Sequence, residues 1–308
     1  MMTAASKRCR RRCNLEILCY LVFVPDPSLL LLVPAYNEEH RIEPVLRDYA
    51  RFFQEQYRGK FQLVVVLNGC TDNTLGVVQK VAKDFFSVSY LNFPGPIGKG
   101  GALIEGLKLA PFADLIGYVD ADGATPPQAF LELVRHLDGA DCVIGSRWLP
   151  GAVIHQSQAG HRQFASRAFH LIVQMLFWLN IRDTQCGAKV MKRAAVEKIH
   201  PFLRIADMAF DINLLVALHR AGFRILEIPT EWTDQIGSKV ALGRTSLTMF
   251  LSVVRVRLIY WPLIYRFLRP LRPLEGWVYG KLRQPAPLSE SQVQGSNSKG
   301  QNPQAKTG

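Results

Sequence analysis

The sequence predicts an α/β fold in which helices cover both faces of a mostly parallel β-sheet. Residues 29–230 alternate between short apolar runs of strand length and longer stretches with helical spacing. The runs are almost continuously apolar, which is typical of parallel strands buried on both faces. With 48% hydrophobic residues among 308, the chain can also bury a large core, which excludes disordered and collagen-like classes.

The first predicted strand, Leu29–Val33, is followed by Arg41–Tyr57, whose apolar residues recur with the spacing of one helix face. Ligands of open parallel sheets bind beyond the carboxyl ends of the strands, so we expect functional residues directly after the strands. The later elements continue the alternation: strand Phe61–Leu67, helix Asn73–Phe85, strand Val88–Phe93, helix Gly98–Leu109, strand Leu115–Val119, helix Pro126–Leu137 and strand Asp141–Ile144.

The net charge of +12 is concentrated at the two ends of the chain. Residues 1–13 carry five cations and no anion, and residues 255–308 carry nine cations and two anions. Residues 14–254 carry 23 of each and are neutral overall. A neutral body argues against a nucleic-acid-binding domain, whereas basic ends beside apolar stretches favour contact with an anionic membrane surface.

Neither end contains an apolar run long enough to cross a bilayer, which takes ~20 residues. Leu15–Val24 spans ten residues, and Thr245–Val254 spans ten before arginines interrupt it. The second region fits a helix in the membrane interface or, equally, a core helix with a basic outer face. We divide the chain into an N-terminal extension (1–28), a folded domain (29–240), a basic amphipathic segment (241–283) and a disordered tail (284–308).

Polar residues follow three of the predicted strands. Pro34–Glu39 comes after the first strand, Asn68–Thr74 after the second and Asp120–Gly123 after the fourth. Because the carboxyl ends of parallel strands meet at one edge of a sheet, these three motifs are expected to line a single crevice.

Asp120 and Asp122 are suited to a divalent cation, since two carboxylates one residue apart at a strand end can both reach it. Such hard oxygen ligands favour Mg²⁺ or Mn²⁺, which bridges to a diphosphate. Gly98–Gly101 is a glycine-rich helix start with one lysine, a candidate anion site. Because neither a Walker A motif nor GxGxxG is present, a P-loop ATPase and a dinucleotide-dependent oxidoreductase are both disfavoured.

Six motifs follow one another along the chain: Pro34–Glu39, Asn68–Thr74, Gly98–Gly101, Asp120–Gly123, Gly145–Arg147 and Asp183–Gly187. Their order resembles that of glycosyltransferase family 2, and the last motif most resembles the dolichyl-phosphate glucose synthase branch. The resemblance covers about residues 29–240. It implies a Rossmann-like GT-A fold, a nucleotide-sugar donor and inverting transfer of a hexose to a polyprenyl (dolichyl-type) phosphate.

The resemblance also implies site residues. Asn68 would lie beside the base; the family usually has Asp there, so UDP-glucose and GDP-mannose both stay open. Arg147 would flank the sugar or the acceptor phosphate. The donor residues implied are Pro34, Ala35, Tyr36, Glu38, Asn68, Lys99, Asp120, Ala121 and Asp122, with Asp120 and Asp122 on the metal; the acceptor residues are Arg147, Arg162, Gln185 and Asp211.

The expected reaction is an in-line displacement at the anomeric carbon. The metal, with Lys99 and Arg147, would offset the charge that develops on the departing nucleoside diphosphate. A lipid phosphate is already anionic and needs positioning, whereas a sugar hydroxyl needs a general base, for which Asp211 is the candidate. The catalytic candidates are therefore Asp211, Arg147 and Asp122. The alternative role for Asp211 is that of a helix cap.

Two other functions fit the same residues. The protein could transfer to a glycan or small soluble acceptor, or it could bind a nucleotide-sugar without catalysis. The basic ends predict a cytoplasmic protein held peripherally on the cytoplasmic face of a membrane. Arg162 would bind the lipid phosphate and the uncharged helix 168–181 would touch the bilayer, or that helix is an amphipathic core helix.

Overall fold

The computed structural model describes residues 26–155, 169, 171–233 and 242–260. Nine strands lie in the described chain: β1 Leu29–Ala35, β2 Phe61–Asn68, β3 Val88–Phe93, β4 Leu115–Tyr118, β5 Cys142–Ser146, β6 Val153–His155, β7 Lys189–Lys192, β8 Ile225–Pro229 and β9 Glu231–Thr233. The helices we label are α1 Ile42–Gln56, α2 Thr74–Asp84, α3 Lys99–Leu107, α4 Pro127–Arg135, α5 Arg193–Ile199, α6 Phe210–Arg220 and α7 Leu242–Ile259. Residues 171–177 are also helical.

Seven strands form one sheet in the order β3-β2-β1-β4-β7-β5-β8. All neighbouring pairs are parallel except the two that involve β7, which runs antiparallel to β4 and to β5. β6 and β9 form a separate parallel pair. The structure therefore confirms the predicted α/β class with a mostly parallel sheet.

The core consists of two layers, one on each face of the sheet. Helices α1, α2 and α4 cover one face, and α3, α5, α6 and α7 cover the other. All seven residues of β1 are buried because their side chains alternate between the two layers. Helix α1 buries Ile42, Val45, Leu46 and Tyr49, at the spacing that places side chains on one helix face.

The sequence analysis named no strand after Ile144, and β7 is the one of the later strands that lies inside the sheet and runs against its neighbours. Its first residue, Lys189, pairs with Tyr118, the last residue of β4. Because β7 runs in the opposite direction, the segment that precedes it arrives at the carboxyl end of β4. This reversal brings the motif Asp183–Gly187 to the edge of the sheet at which the other motifs lie.

Helix α7 lies in the segment assigned to the C-terminal extension, yet Val253 and Val256 are fully buried in the same core. Ser252 Oγ donates a 2.6 Å hydrogen bond to Asp207, which precedes α6. The core-helix alternative therefore describes residues 252–256. Residues 1–25 and 261–308 lie outside the described residues, and the domain division stays a prediction. None of the helices in the described ranges has the length and hydropathy to cross a membrane.

Candidate active site

The first two motifs are joined across the ends of β1 and β2. Asn37 Oδ1 accepts a 2.8 Å hydrogen bond from the Thr71 amide, and the Glu38 amide donates to Thr74 Oγ1 at 2.8 Å. Asn37 has φ 54°, a left-handed conformation that asparagine tolerates better than most residues. Pro34 and Ala35 are buried under this junction, whereas Tyr36 is 52% exposed.

Glu38, expected at the nucleoside, is held by Arg41. The guanidinium of Arg41 donates to both carboxylate oxygens, with Nε to Oε2 at 2.8 Å and Nη2 to Oε1 at 2.9 Å. Two parallel charge-assisted bonds fix the plane of a carboxylate. Glu38 therefore shapes this edge of the crevice, and the exposed ring of Tyr36 is the surface that the first motif offers for stacking.

Asn68, the last residue of β2, is 6% exposed and binds two backbone amides. Its Oδ1 accepts from Ile97 at 2.6 Å and from Gly98 at 3.0 Å. Because both partners are donors, they fix which end of the side-chain amide is the oxygen. The Nδ2 end has no hydrogen-bond partner among the residues that the structure describes.

The carboxylate of Asp120 is confined on two sides. Lys99, the first residue of α3, places its Nζ 2.5 Å from Asp120 Oδ1. On the other side, a Cβ added to Gly187 would overlap Asp120 Oδ2, so a residue with a side chain does not fit there. Burial acts to lower the pKa of Lys99, but the charges of Asp120 and Asp211 outweigh it and raise the pKa. Lys99 is therefore a cation at neutral pH.

Asp122 has a geometry and charge that suit a divalent cation. Its Oδ1 accepts a 3.0 Å hydrogen bond from the Ala124 amide, across a turn in which Gly123 has φ 74°. Burial and the nearby charge of Asp120 raise the pKa of Asp122. A cation between the two carboxylates would relieve that repulsion.

No group of three or more His, Cys, Asp or Glu side chains is placed to hold a metal ion in the described ranges. Two hard oxygen ligands match Mg²⁺, which retains waters and takes its remaining ligands from substrate phosphates. Asp120 and Asp122 thus fit a cation that a diphosphate helps to hold.

Asp211 lies beneath this pair, inside a buried ion pair. Its Oδ1 is 2.5 Å from Lys189 Nζ and accepts a 2.5 Å hydrogen bond from the Tyr118 hydroxyl. Burial acts to raise the pKa of Asp211, but the charges of Lys189 and Lys99 outweigh it and lower the pKa. A carboxylate with a lowered pKa is a weak proton acceptor. Asp211 lies in the first turn of α6, but in the described part of the chain its carboxylate binds Lys189 and Tyr118 and not the amides of the helix.

The guanidinium of Arg147 is bound by the carboxylate of Asp183, a residue that the sequence identified only as part of a motif. Its Nε is 2.7 Å from Asp183 Oδ2, and its Nη2 is 2.9 Å from Oδ1. The guanidinium also lies 4.9 Å from the ring centroid of Trp232. Burial acts to raise the pKa of Asp183, but the hydrogen bonds and charge of Arg147 outweigh it and lower the pKa. Glu227 in turn accepts the Asp183 amide at 2.6 Å.

The structure thus brings most of the predicted residues to one edge of the sheet. Ala121 is buried between the two aspartates, and Gln185 is half-buried in the loop before β7. Arg162 lies outside the described residues. The partners that sequence reasoning missed are Asp183 for Arg147, and Lys189 and Tyr118 for Asp211. For the partners of Asp211, the one signal in the sequence was Lys189, a lysine between Ala188 and Val190 at the start of β7.

Residues 31–200 match the family described as Glycosyl transferase family 2. The chain belongs to this family. The match confirms the family expected from the motif order and makes the protein a glycosyltransferase.

Two curated relatives of this glycosyltransferase carry one name. The Dolichyl-phosphate beta-glucosyltransferase of Saccharomyces cerevisiae is 33% identical over 265 residues, which cover 77% of this chain and 76% of that protein. The protein of that name from Dictyostelium discoideum is 31% identical over 244 residues, covering 75% and 74% of the two chains.

Solved structures of glucosyl-3-phosphoglycerate synthase from Mycobacterium tuberculosis share the fold. Its complex with uridine-diphosphate superposes with a TM-score of 0.56 at 18% identity, covering 75% of this chain and 80% of that one. The complex with Mn²⁺, UDP-Glc and phosphoglyceric acid has a TM-score of 0.56 at 17% identity, with the same coverage. This likeness confirms the GT-A fold of the glycosyltransferase.

Asp211→Asn should destabilise the protein, because it removes the charge that neutralises the fully buried Lys189. Breaking a buried pair by removing one partner costs about 3–5 kcal/mol. Chemical denaturation followed by circular dichroism measures the free energy of unfolding. The exposed Asp138→Asn is the matched control and should change it by less than about 0.5 kcal/mol. An unchanged free energy of unfolding for Asp211→Asn would show that the ion pair does not stabilise the fold.

Proposed function

We propose that this glycosyltransferase transfers glucose, with inversion, from UDP-glucose to a polyprenyl (dolichyl-type) phosphate. The observation that carries the proposal is one loop that spans both halves of the site. Its last residue, Gly187, packs on Asp120, and its first, Asp183, binds Arg147. The loop therefore connects Asp120, which would hold the cation beside the diphosphate, to Arg147, which is suited to bind a second phosphate. The names of the relatives support the lipid acceptor and glucose.

Each residue of the site has a distinct part in the proposed reaction. A bound Mg²⁺ or Mn²⁺, held by Asp120 and Asp122, would supply charge for the departing diphosphate. Arg147, oriented by Asp183, binds the acceptor phosphate, and Gln185 lies in the same loop. The acceptor phosphate is anionic at neutral pH and needs no general base, so Asp211 acts through Lys189 and Tyr118 as a positioning residue.

A second acceptor class has one specific observation in its favour. The solved neighbour with Mn²⁺ and UDP-Glc also contains phosphoglyceric acid, a small phosphorylated molecule. Transfer to a small soluble acceptor is therefore our second candidate. The assay below distinguishes the two acceptor classes.

Asp122→Ala should lower glucosyl transfer by about a hundredfold or more, since a catalytic metal is worth several kcal/mol of transition-state stabilisation. The assay follows radioactive glucose from UDP-glucose into dolichyl phosphate in the presence of Mn²⁺. Asp138→Ala is the control and should keep full activity. Full activity of Asp122→Ala would rule out the metal role. Transfer to phosphoglyceric acid but not to lipid would favour the second candidate.

We propose that Asn68 helps to select the base by donating from Nδ2. Uracil carries two carbonyl oxygens, which are acceptors that match this amide. Asn68→Asp would keep an oxygen for the Ile97 and Gly98 amides but place a carboxylate against the base. We expect calorimetry to find UDP bound roughly tenfold more weakly, with Mn²⁺ present. The exposed Asn180→Asp serves as the control. Tighter UDP binding by Asn68→Asp would mean that this side chain accepts a hydrogen bond from an N–H group of the base.

We propose that the protein works peripherally on the cytoplasmic face of a membrane. Support comes from the basic ends and from an exposed apolar stripe, Leu171, Met175 and Trp178, on the helical stretch 171–177 and its end. Trp178 is 85% exposed. Tryptophan and basic side chains are favourable at a bilayer interface.

Flotation with vesicles containing phosphatidylserine should recover the full-length protein in low salt and lose it in high salt. Deleting residues 1–13 together with 261–283 should abolish recovery, since these segments carry much of the basic excess. The deletion is chosen to leave α7 intact, because Val253 and Val256 of that helix are buried in the core. Neutral vesicles provide the control. Equal recovery of the deletion variant would contradict electrostatic membrane contact through the ends.

A further inference from the structure

We propose that Lys99 is an internal counter-ion that competes with the divalent cation for Asp120 and turns to the donor diphosphate when the cation binds. The competition with the cation depends only on the geometry of Lys99 and Asp120. The second step rests on the proposed nucleotide-sugar donor. The experiment below measures the two separately.

The first observation is that Lys99 is paired with Asp120, one of the two carboxylates proposed to hold the cation. Its Nζ lies 2.5 Å from Asp120 Oδ1, and the two side chains are 18% and 27% exposed. Gly187 packs directly against the other oxygen of Asp120 and blocks movement of the carboxylate to that side. A cation that binds Asp120 must therefore displace the lysine or share the carboxylate with it.

The second observation is that the neighbouring carboxylate already has its own cation. Asp211 is paired with Lys189 at 2.5 Å and also accepts from the Tyr118 hydroxyl. Lys99 is also influenced by the charge of Asp211, but in the described part of the chain the ion pair of its ammonium is with Asp120. Lys99 thus supplies the positive charge that Asp120 loses when a metal cation takes the place of the ammonium.

The third observation is that the backbone at the start of α3 is held in place, so any movement of the Lys99 ammonium must come from its side chain. The Gly101 amide donates a 3.1 Å hydrogen bond to Ala206, and a Cβ on Gly100 would overlap the carbonyl oxygen of Ile205. The start of α3 is therefore fixed against the segment that precedes α6. A lysine ammonium on its flexible four-carbon stem can then leave Asp120 for an anion at this helix N-terminus, where anions are favoured.

This arrangement predicts that Lys99→Met changes the affinity for Mn²⁺ and the affinity for UDP in opposite directions. Removing the ammonium removes both competition and repulsion at the cation site, so Mn²⁺ without nucleotide should bind roughly tenfold more tightly than in the wild type. UDP at saturating Mn²⁺ should bind roughly tenfold more weakly, because the diphosphate loses a cation. A lysine that only supports the fold would weaken both.

The test uses the full-length protein without any turnover. Electron paramagnetic resonance of free Mn²⁺ gives the metal affinity, and calorimetric titration of UDP at saturating Mn²⁺ gives the nucleotide affinity. Lys99→Arg keeps the charge and should therefore change both affinities less than Lys99→Met does. The matched control is Lys108→Met on the C-terminal side of α3. Lys108 pairs with Glu105 at 2.6 Å, so this variant also breaks a lysine–carboxylate pair.

Mn²⁺ binding by Lys99→Met that is equal to or weaker than that of the wild type would overturn the competition. Unchanged UDP affinity would overturn the second step alone. If wild-type protein with Mn²⁺ binds no UDP, the proposed donor is wrong, and the titration with Mn²⁺ alone still decides the role of Lys99. If the wild type binds no Mn²⁺ in the measured range, Lys99→Met is expected to bind it, and its failure to do so would also refute the competition.

Discussion

The buried ion pair between Lys189 and Asp211 is the constraint on which the geometry of the site depends. Lys189 is fully buried in the sheet, and its ammonium also donates a 2.5 Å hydrogen bond to the carbonyl oxygen of Cys186. An uncompensated charge at this depth would cost several kcal/mol, so β7, α6 and the loop before β7 are held together. The pair therefore fixes Gly187, one residue beyond Cys186, against Asp120.

Charges of alternating sign extend from this pair to the crevice. Asp211 is neutralised by Lys189, Asp120 by Lys99 and Asp183 by Arg147. Removing Lys189 or Arg147 would leave a buried carboxylate without its cation, so these two pairs give the site a fixed shape before a ligand arrives. Preorganised charges of this kind need little rearrangement when charge develops on a leaving group.

The sequence predicted the crevice because its residues follow strands whose continuous apolar runs are easily recognised. Pro34, Asn68 and Asp120 come directly after such runs, and their convergence follows from the parallel topology alone. β7 has four residues with a lysine at each end, so neither apolar continuity nor alternation marks it as a strand. The pairings of Lys189 with Asp211 and of Arg147 with Asp183 join residues far apart in sequence. Only the antiparallel insertion of β7 brings them together.

The carboxylates of the site bear on the choice between acceptors. A sugar hydroxyl needs a base with a pKa near the working pH, whereas a phosphate acceptor arrives already ionised. Among the buried carboxylates in the described ranges, Asp183 and Asp211 have lowered pKa values and are committed to cations. Asp122 has a raised pKa, but it is a candidate metal ligand. In the proposed reaction, Arg147 and not a proton acceptor therefore binds the acceptor, which is the chemistry that a phosphate requires.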